Sequence, residues 1–244
     1  MGEGGIGQRA EGRGQRAKGV GQRAKGVGQR AEGSTPCTMR NTPCTMRHAL
    51  CQLLMNKAVF LDRDGTVTEE VGYLTDLAKL HLIPGAGLAI KKLNQAGFKV
   101  VLVTNQSGVA RGYFPESLVL KAHDRLTEML GREGAVLDGI YYCPHHPTAG
   151  ESEYTMMCDC RKPGTGLLDK AAADLAIDLS RSYVVGDKWS DIELAHRAGA
   201  RAVLVRTGFA TDDPGNVRPE HVRDPDLTAH DLGEAAEWIV KQGA

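Results

Sequence analysis

The chain has 244 residues, of which 41% are apolar and 25% charged, with 30 Lys/Arg against 30 Asp/Glu. That suffices for one α/β domain with a sizeable core plus a tail. The neutral total hides an asymmetry: residues 1–50 carry nine basic and three acidic side chains, so the remainder holds 21 basic against 27 acidic and is net −6. An acidic body argues against a general nucleic-acid binder. No run approaches the roughly 18 apolar residues of a membrane span, and the N-terminus lacks the apolar stretch of a secretory signal. A cytoplasmic location is therefore expected, where unpaired or metal-bound cysteines outnumber disulfides.

The first segment, residues 1–54, is repetitive. GQRA recurs from Gly7, Gly14, Gly21 and Gly28, and TPCTMR from Thr35 and Thr42. A period of seven would fit a coiled coil, but each unit lacks the apolar pair a heptad needs and carries several helix-disfavouring glycines. The segment cannot bury enough surface to offset its ordering entropy, so it is expected to be disordered. A basic repeat of this kind could bind nucleic acid or anionic lipid. A tandem repeat is better explained by a start placed too far upstream, with Met55 two residues before the first expected strand. Cys37, Cys44 and Cys51 follow the repeat register and receive no metal role.

From Lys57 the pattern changes to alternating strands and helices. Lys57–Leu61 reads as a strand, and Pro84–Ala96 as a helix with Leu88 and Leu93 on its apolar face. Lys99–Val103 is a buried strand, and Pro115–Leu130 a helix with Leu118, Ala122, Leu126 and Met129 at helical spacing. Strands follow at Leu137–Tyr142, Ser182–Val185 and Arg201–Val205, with helices at Gly166–Ala176, Asp191–Ala198 and Asp231–Lys241. The alternation predicts a three-layer, Rossmann-like parallel sheet covered on both faces. In such sheets ligands bind beyond the carboxyl ends of the strands. No gap between elements is long enough for a large inserted cap domain.

Chemistry-bearing residues stand at those strand ends. Asp62-Arg63-Asp64-Gly65-Thr66 follows the first strand, and an Asp carboxylate there can attack phosphorus while a second carboxyl two residues on acts as acid and base. Thr104-Asn105-Gln106-Ser107 follows the second strand and offers a hydroxyl and amides to phosphoryl oxygens. Lys162-Pro163 precedes a helix, where a lysine can neutralise developing charge. Asp187-Lys188 follows a later strand, and a carboxylate there suits magnesium. Asp191, four residues beyond Asp187, reads as an acidic residue matched to a helix N-terminus.

Cys143-Pro144-His145-His146-Pro147 and Cys158-Asp159-Cys160 together supply three thiols and an imidazole, the donor set of a closed, structural zinc site. From the residues alone, either His145 or His146 could complete it. The cluster ends at Arg161-Lys162, so zinc would order a cationic loop without entering the chemistry.

The order DxDGT, TN, K-P, GDxxxD resembles the haloacid dehalogenase (HAD) superfamily of phosphohydrolases. The resemblance implies Asp62 as nucleophile, Asp64 as general acid/base, and Thr104 and Lys162 as phosphoryl stabilisers. It also implies magnesium held by Asp62, the Asp64 carbonyl and Asp187. With CPHHP, CDCRKP and TNQSGVARG added, the chain resembles the heptose 1,7-bisphosphate 7-phosphatase family from about Lys57 through Gly208. That implies zinc ligands Cys143, His145, Cys158 and Cys160. It further implies substrate contacts from Asp62, Arg63, Asp64, Glu70, Tyr73, Thr104, Asn105, Gln106, Ser107, Arg161, Lys162 and Lys188. The expected activity is magnesium-dependent removal of the C7 phosphate from a small sugar bisphosphate by a monomer without nucleic-acid or membrane partners. Histidinol-phosphate phosphatase, which shares the zinc loop, is the alternative enzyme. A catalytically dead binding module is the alternative of another class, disfavoured by intact Asp62, Asp64, Lys162 and Asp187.

Overall fold

A computed structural model describes residues 55–209 and 216–243, all within the unit Pro43–Ala244. The expected disorder of residues 1–54 lies outside the described residues. Among the described residues there are six strands and five helices: β1 (Ala58–Leu61), α1 (Ala86–Gln95), β2 (Lys99–Asn105), α2 (Glu116–Arg132), β3 (Gly139–Cys143), α3 (Gly166–Leu175), β4 (Tyr183–Gly186), α4 (Trp189–Ala198), β5 (Arg201–Val205), β6 (Leu227–Ala229) and α5 (Leu232–Gln242). Short 3₁₀ turns span Leu77–Lys79 and Leu179–Arg181.

The strands form one sheet in the order β3-β2-β1-β4-β5-β6, with every pairing parallel. Side chains alternate between its faces, as the pleat requires. Val59, Leu61, Val100, Leu102, Val185 and Val203 pack against α1, α2 and α5, whereas Ala58, Phe60, Val101, Val103, Val184 and Ala202 pack against α3 and α4. Burial on both faces explains why these strands read as continuous apolar runs. The sheet is the three-layer parallel architecture expected. No inserted domain interrupts it among the described residues; the stretch between β1 and α1 holds only the turn Leu77–Lys79.

Two helix faces differ from expectation. Leu88 is 64% exposed, and α1 buries Ala86, Ala89, Ile90 and Leu93 instead. The helix starts after Gly85, whose φ of +85° suits glycine, and Leu88 lies about 140° around it from the buried Leu93. On α2 the buried stripe is Val119, Ala122, His123, Leu126 and Leu130, leaving Leu118 and Met129 half-buried. β6 and both 3₁₀ turns had no expectation; each is only three residues, too short to display a period.

The chain leaves β1 towards β2 and β3 on one side and returns through β4 on the other. The crevice between the carboxyl ends of β1 and β4 is thus the topological switch point of the sheet, where such folds bind ligands. Asp62 and Asp187 are the residues just beyond those two strands, and the Asp62 N–H donates to the Val185 carbonyl at 3.0 Å, tying the two ends together.

Candidate active site

The chain turns sharply after β1 because the Arg63 carbonyl accepts the N–H groups of Thr66, Val67 and Thr68. Gly65 takes φ +83° within that turn, and a Cβ there would overlap the Asp187 carboxylate. Gly208 lies against Gly65, and a Cβ on it would overlap the same carboxylate oxygen. Two glycines therefore clear the space around Asp187 that any side chain would fill.

Lys162 is the hub. Its Nζ lies 2.8 Å from Asp62 Oδ1 and donates to Asp191 Oδ1 at 2.6 Å and to the Val103 carbonyl at 3.1 Å. All three ammonium protons are used, which a buried lysine requires. Burial opposes its charge, but the Asp191 and Asp62 carboxylates outweigh that and raise its pKa above the ordinary lysine value. Asn105 holds the lysine's backbone reciprocally, accepting from the Lys162 N–H at 3.0 Å and donating to its carbonyl at 3.2 Å. Asp191 also accepts from the Lys188 N–H at 3.2 Å, so it caps α4 as expected for its position and anchors Lys162 as well.

Asp187 is fully buried. One oxygen accepts from the Phe209 N–H at 2.8 Å, while Oδ1 has no hydrogen-bond partner. Burial, then the neighbouring Asp62 charge, push its carboxyl up to about 8. Donor oxygens of Asp62, Asp187 and Asp191 lie within 4.8 Å of one another. An orphaned, buried carboxylate oxygen of Asp187 close to the Asp62 carboxylate fits a hard divalent cation such as magnesium. Asp191 is already satisfied by Lys162, which leaves Asp62 and Asp187 as the open side-chain donors.

Above these groups opens a pocket of about 340 Å³ lined by Asp62, Asp64, Thr104, Arg161, Lys162 and Lys188, among others. Glu70, Tyr73, Asn105, Gln106 and Ser107 line it too. Every expected substrate contact except Arg63 is therefore brought to one cavity. Arg63 is 2% exposed, its side chain turned back onto Asp64. Gly72, Leu74, Phe114, Ser190 and Phe209 complete the wall without having been foreseen. Gly72, Leu74, Phe114 and Phe209 are loop residues, and Ser190 a lone helical serine, with no chemical signature that would have marked them. Lys188 Nζ pairs with Glu70 at 3.3 Å and stacks 4.2 Å from the Phe209 ring. Burial works against its charge, but Asp62, Asp187, Glu70 and Asp191 together raise its pKa.

Beside the pocket, Cys143 Sγ lies 3.6 Å from His145 Nδ1 and 3.6 Å from Cys158 Sγ, and Cys160 Sγ lies 3.2 Å from each of the other three donors. Donors bound to one tetrahedral zinc would be roughly 3.4–3.8 Å apart; the two Cys143 distances of 3.6 Å match and the three from Cys160 are slightly shorter, so the set suits zinc. The three thiols are free. His146 is excluded as the fourth donor, because its Nδ1 accepts from the Thr148 and Ala149 N–H groups and its Nε2 meets Arg111. Arg161 donates to the His145 carbonyl at 3.2 Å, coupling this cluster to the pocket.

A parallel sheet with a buried Asp, Lys and Asp converging at its switch point defines a HAD-like phosphohydrolase, and a HAD-hydrolase-like family model matches residues 159–235. Solved structures agree: D,D-heptose 1,7-bisphosphate phosphatase from B. bronchiseptica, complexed with magnesium and phosphate, superposes with a TM-score of 0.66 at 33% identity over 76% of this chain and 99% of that one. The D-glycero-D-manno-heptose-1,7-bisphosphate 7-phosphatase of Thermosynechococcus vestitus is 47% identical over 75% of this chain and 94% of its own length. The β-anomer-named relative of Haemophilus ducreyi is 48% identical over 68% of this chain and 92% of its own. The chain belongs to this family of phosphomonoester hydrolases.

Proposed function

We propose that the protein hydrolyses the C7 phosphate of D-glycero-D-manno-heptose 1,7-bisphosphate, releasing heptose 1-phosphate and inorganic phosphate. The observation that carries this reading is the placement of Asp62: a buried carboxylate at the sheet's switch point, on the floor of the pocket, 2.8 Å from a fully bonded lysine. Asp62 attacks phosphorus and forms an aspartyl-phosphate; the sugar alkoxide leaves with a proton from Asp64. Asp64 then accepts a proton from water, which attacks the phospho-Asp62 and regenerates the carboxylate. Lys162 and Thr104 stabilise the phosphoryl oxygens throughout. Asp62, the Asp64 carbonyl and Asp187 would hold magnesium, which when bound neutralises phosphoryl charge and favours attack by one anion on another.

Cys143, His145, Cys158 and Cys160 would hold zinc in a closed structural site. Its role is to order the loop carrying Arg161 and Lys162. Arg161 and Lys188, at the pocket wall, supply positive charge for the substrate's anionic groups, with Glu70, Tyr73, Asn105, Gln106 and Ser107 contacting the sugar. The relatives' names favour the heptose over histidinol phosphate. Residues 55–244 form the catalytic domain, apart from the repeat of residues 1–54. No described helix is long and apolar enough to cross a membrane; we place the enzyme in the cytoplasm, as a monomer.

Phosphate release with magnesium, measured on heptose 1,7-bisphosphate beside histidinol phosphate, tests the reading. Preference for the bisphosphate, lost in Asp62→Asn, supports it. Preference for histidinol phosphate overturns the substrate while leaving the site intact.

A further inference from the structure

Arg63 is the one expected substrate contact that the pocket does not contain, yet it is among the largest fully buried side chains of the described residues. Burying a guanidinium is costly, and an apolar side chain of similar size is often as stabilising at such a position. The contacts indicate what the charge does. Nε donates to Asp64 Oδ1 and Nη2 to Asp64 Oδ2, both at 2.9 Å, so the guanidinium grips the whole carboxylate edge. Gln106 Nε2 reaches Asp64 Oδ2 at 2.9 Å and Thr68 Oγ1 reaches Oδ1 at 3.4 Å, and each is itself anchored, Gln106 on Thr104 and Thr68 on the Arg63 carbonyl. The Arg63 N–H meanwhile donates to Asp62 Oδ1 at 2.7 Å. One residue therefore orients both aspartates, Asp62 through its backbone and Asp64 through its side chain.

We propose that Arg63 is a positioning residue whose buried fork fixes the acid/base carboxylate of Asp64. This rests on the reading of Asp64 as acid and base. His123 is 5% exposed, and burial followed by the Arg63 charge push its pKa down to about 3, so it is neutral at any working pH. Arg63 Nη1 and His123 Nε2 are both buried without hydrogen-bond partners, a free donor and a free acceptor in the same region of the core.

Leaving-group dependence separates positioning from packing. An alkyl phosphate needs a proton on its leaving oxygen, whereas p-nitrophenyl phosphate does not, and kcat/KM reports events only up to leaving-group departure. Lysine keeps the charge of arginine but loses the fork. Arg63→Lys in the full-length enzyme is expected to lower kcat/KM for heptose bisphosphate at least about tenfold more than for p-nitrophenyl phosphate, within the range that acid catalysis supplies. Arg63→Gln, which loses both the charge and the fork, is expected to show the same split more strongly, and it carries the comparison if Arg63→Lys fails to fold by circular dichroism. Equal losses on both esters would make Arg63 a packing residue and overturn the proposal. Asp64→Asn distinguishes the two levels: a split there without one in Arg63→Lys overturns the role of Arg63 alone, and no split there overturns the acid/base reading and this proposal together. If the wild type spares heptose bisphosphate, the same comparison with glycerol phosphate as the alkyl ester still decides the role of Arg63.

Discussion

The Lys162 ammonium lies closer to Asp191, at 2.6 Å, than to Asp62, at 2.8 Å. The lysine beside Asp62 is thus anchored by a second, fully buried carboxylate that also caps the helix after β4.

Removing that anchor charge should impair both folding and catalysis. Asp191→Asn leaves Lys162 paired with Asp62 alone, so the ammonium should be drawn onto the nucleophile. A drop in kcat of about 10- to 100-fold and a destabilisation of about 3 kcal/mol are expected, since breaking a buried pair costs about 3–5 kcal/mol and asparagine retains part of the bonding. Steady-state assays and denaturant melts measure the two effects. A variant with wild-type kcat would reduce Asp191 to a helix cap.

Asp187 gives a pH signature in metal-free protein. Its folded pKa, about 8, lies above the usual carboxylate value near 4, so the folded state binds the extra proton between those limits. Stability from this group is therefore greatest at low pH and falls as pH rises from about 4 to about 8. In chelator-treated protein at pH 8, Asp187→Asn should be more stable than wild type, on the order of a few kcal/mol. With magnesium the order should reverse, because the ion then binds the wild-type carboxylate but not the amide. Thermal melts with and without magnesium at pH 5 and pH 8 check both signs; an unchanged order in the two conditions would remove Asp187 from the metal site.

The thiol cluster should carry about one zinc per chain, read by elemental analysis, and lose it in Cys160→Ser. The melting temperature should fall, because a structural zinc contributes directly to folding. KM for the sugar phosphate should rise at least severalfold, since Arg161 is bonded to the His145 carbonyl. Magnesium dependence should persist, the two donor sets sharing no residue.

Gly65→Ala tests the cleared space. With φ at +83° and a Cβ overlapping the Asp187 carboxylate, alanine should be strained and should displace the carboxylate. A loss of about 1–3 kcal/mol in stability and a weakened magnesium requirement curve are expected. Gly97, with φ +79° but nothing near its Cβ, serves as control: Gly97→Ala should lose stability without shifting the magnesium curve.

Much of this site was legible before the fold was known. Asp62, Thr104, Lys162 and Asp187 each stand beside a strand end or helix start, and a parallel sheet gathers strand ends at one edge. Zinc donors were legible as residue types, but choosing His145 over His146 required seeing the His146 Nδ1 engaged by two backbone N–H groups. Leu88 was misplaced because it stands five residues before the buried Leu93, about 140° away around the helix, so the two cannot share one face.

The sequence by itself determined the alternation of elements, the parallel sheet and the set of reacting groups, because hydrophobic period and turn chemistry act between residues near in the chain. Only the tertiary structure decided which charges meet. Lys162 and Asp191 are 29 residues apart, and Gln106 reaches Asp64 across 42. The direction of Arg63, inward onto Asp64 instead of outward to substrate, depends on whether packed neighbours leave room and partners for a guanidinium. Sheet register, loop closure and burial settle such pairings together, and none of them is written in the spacing of residues along the chain.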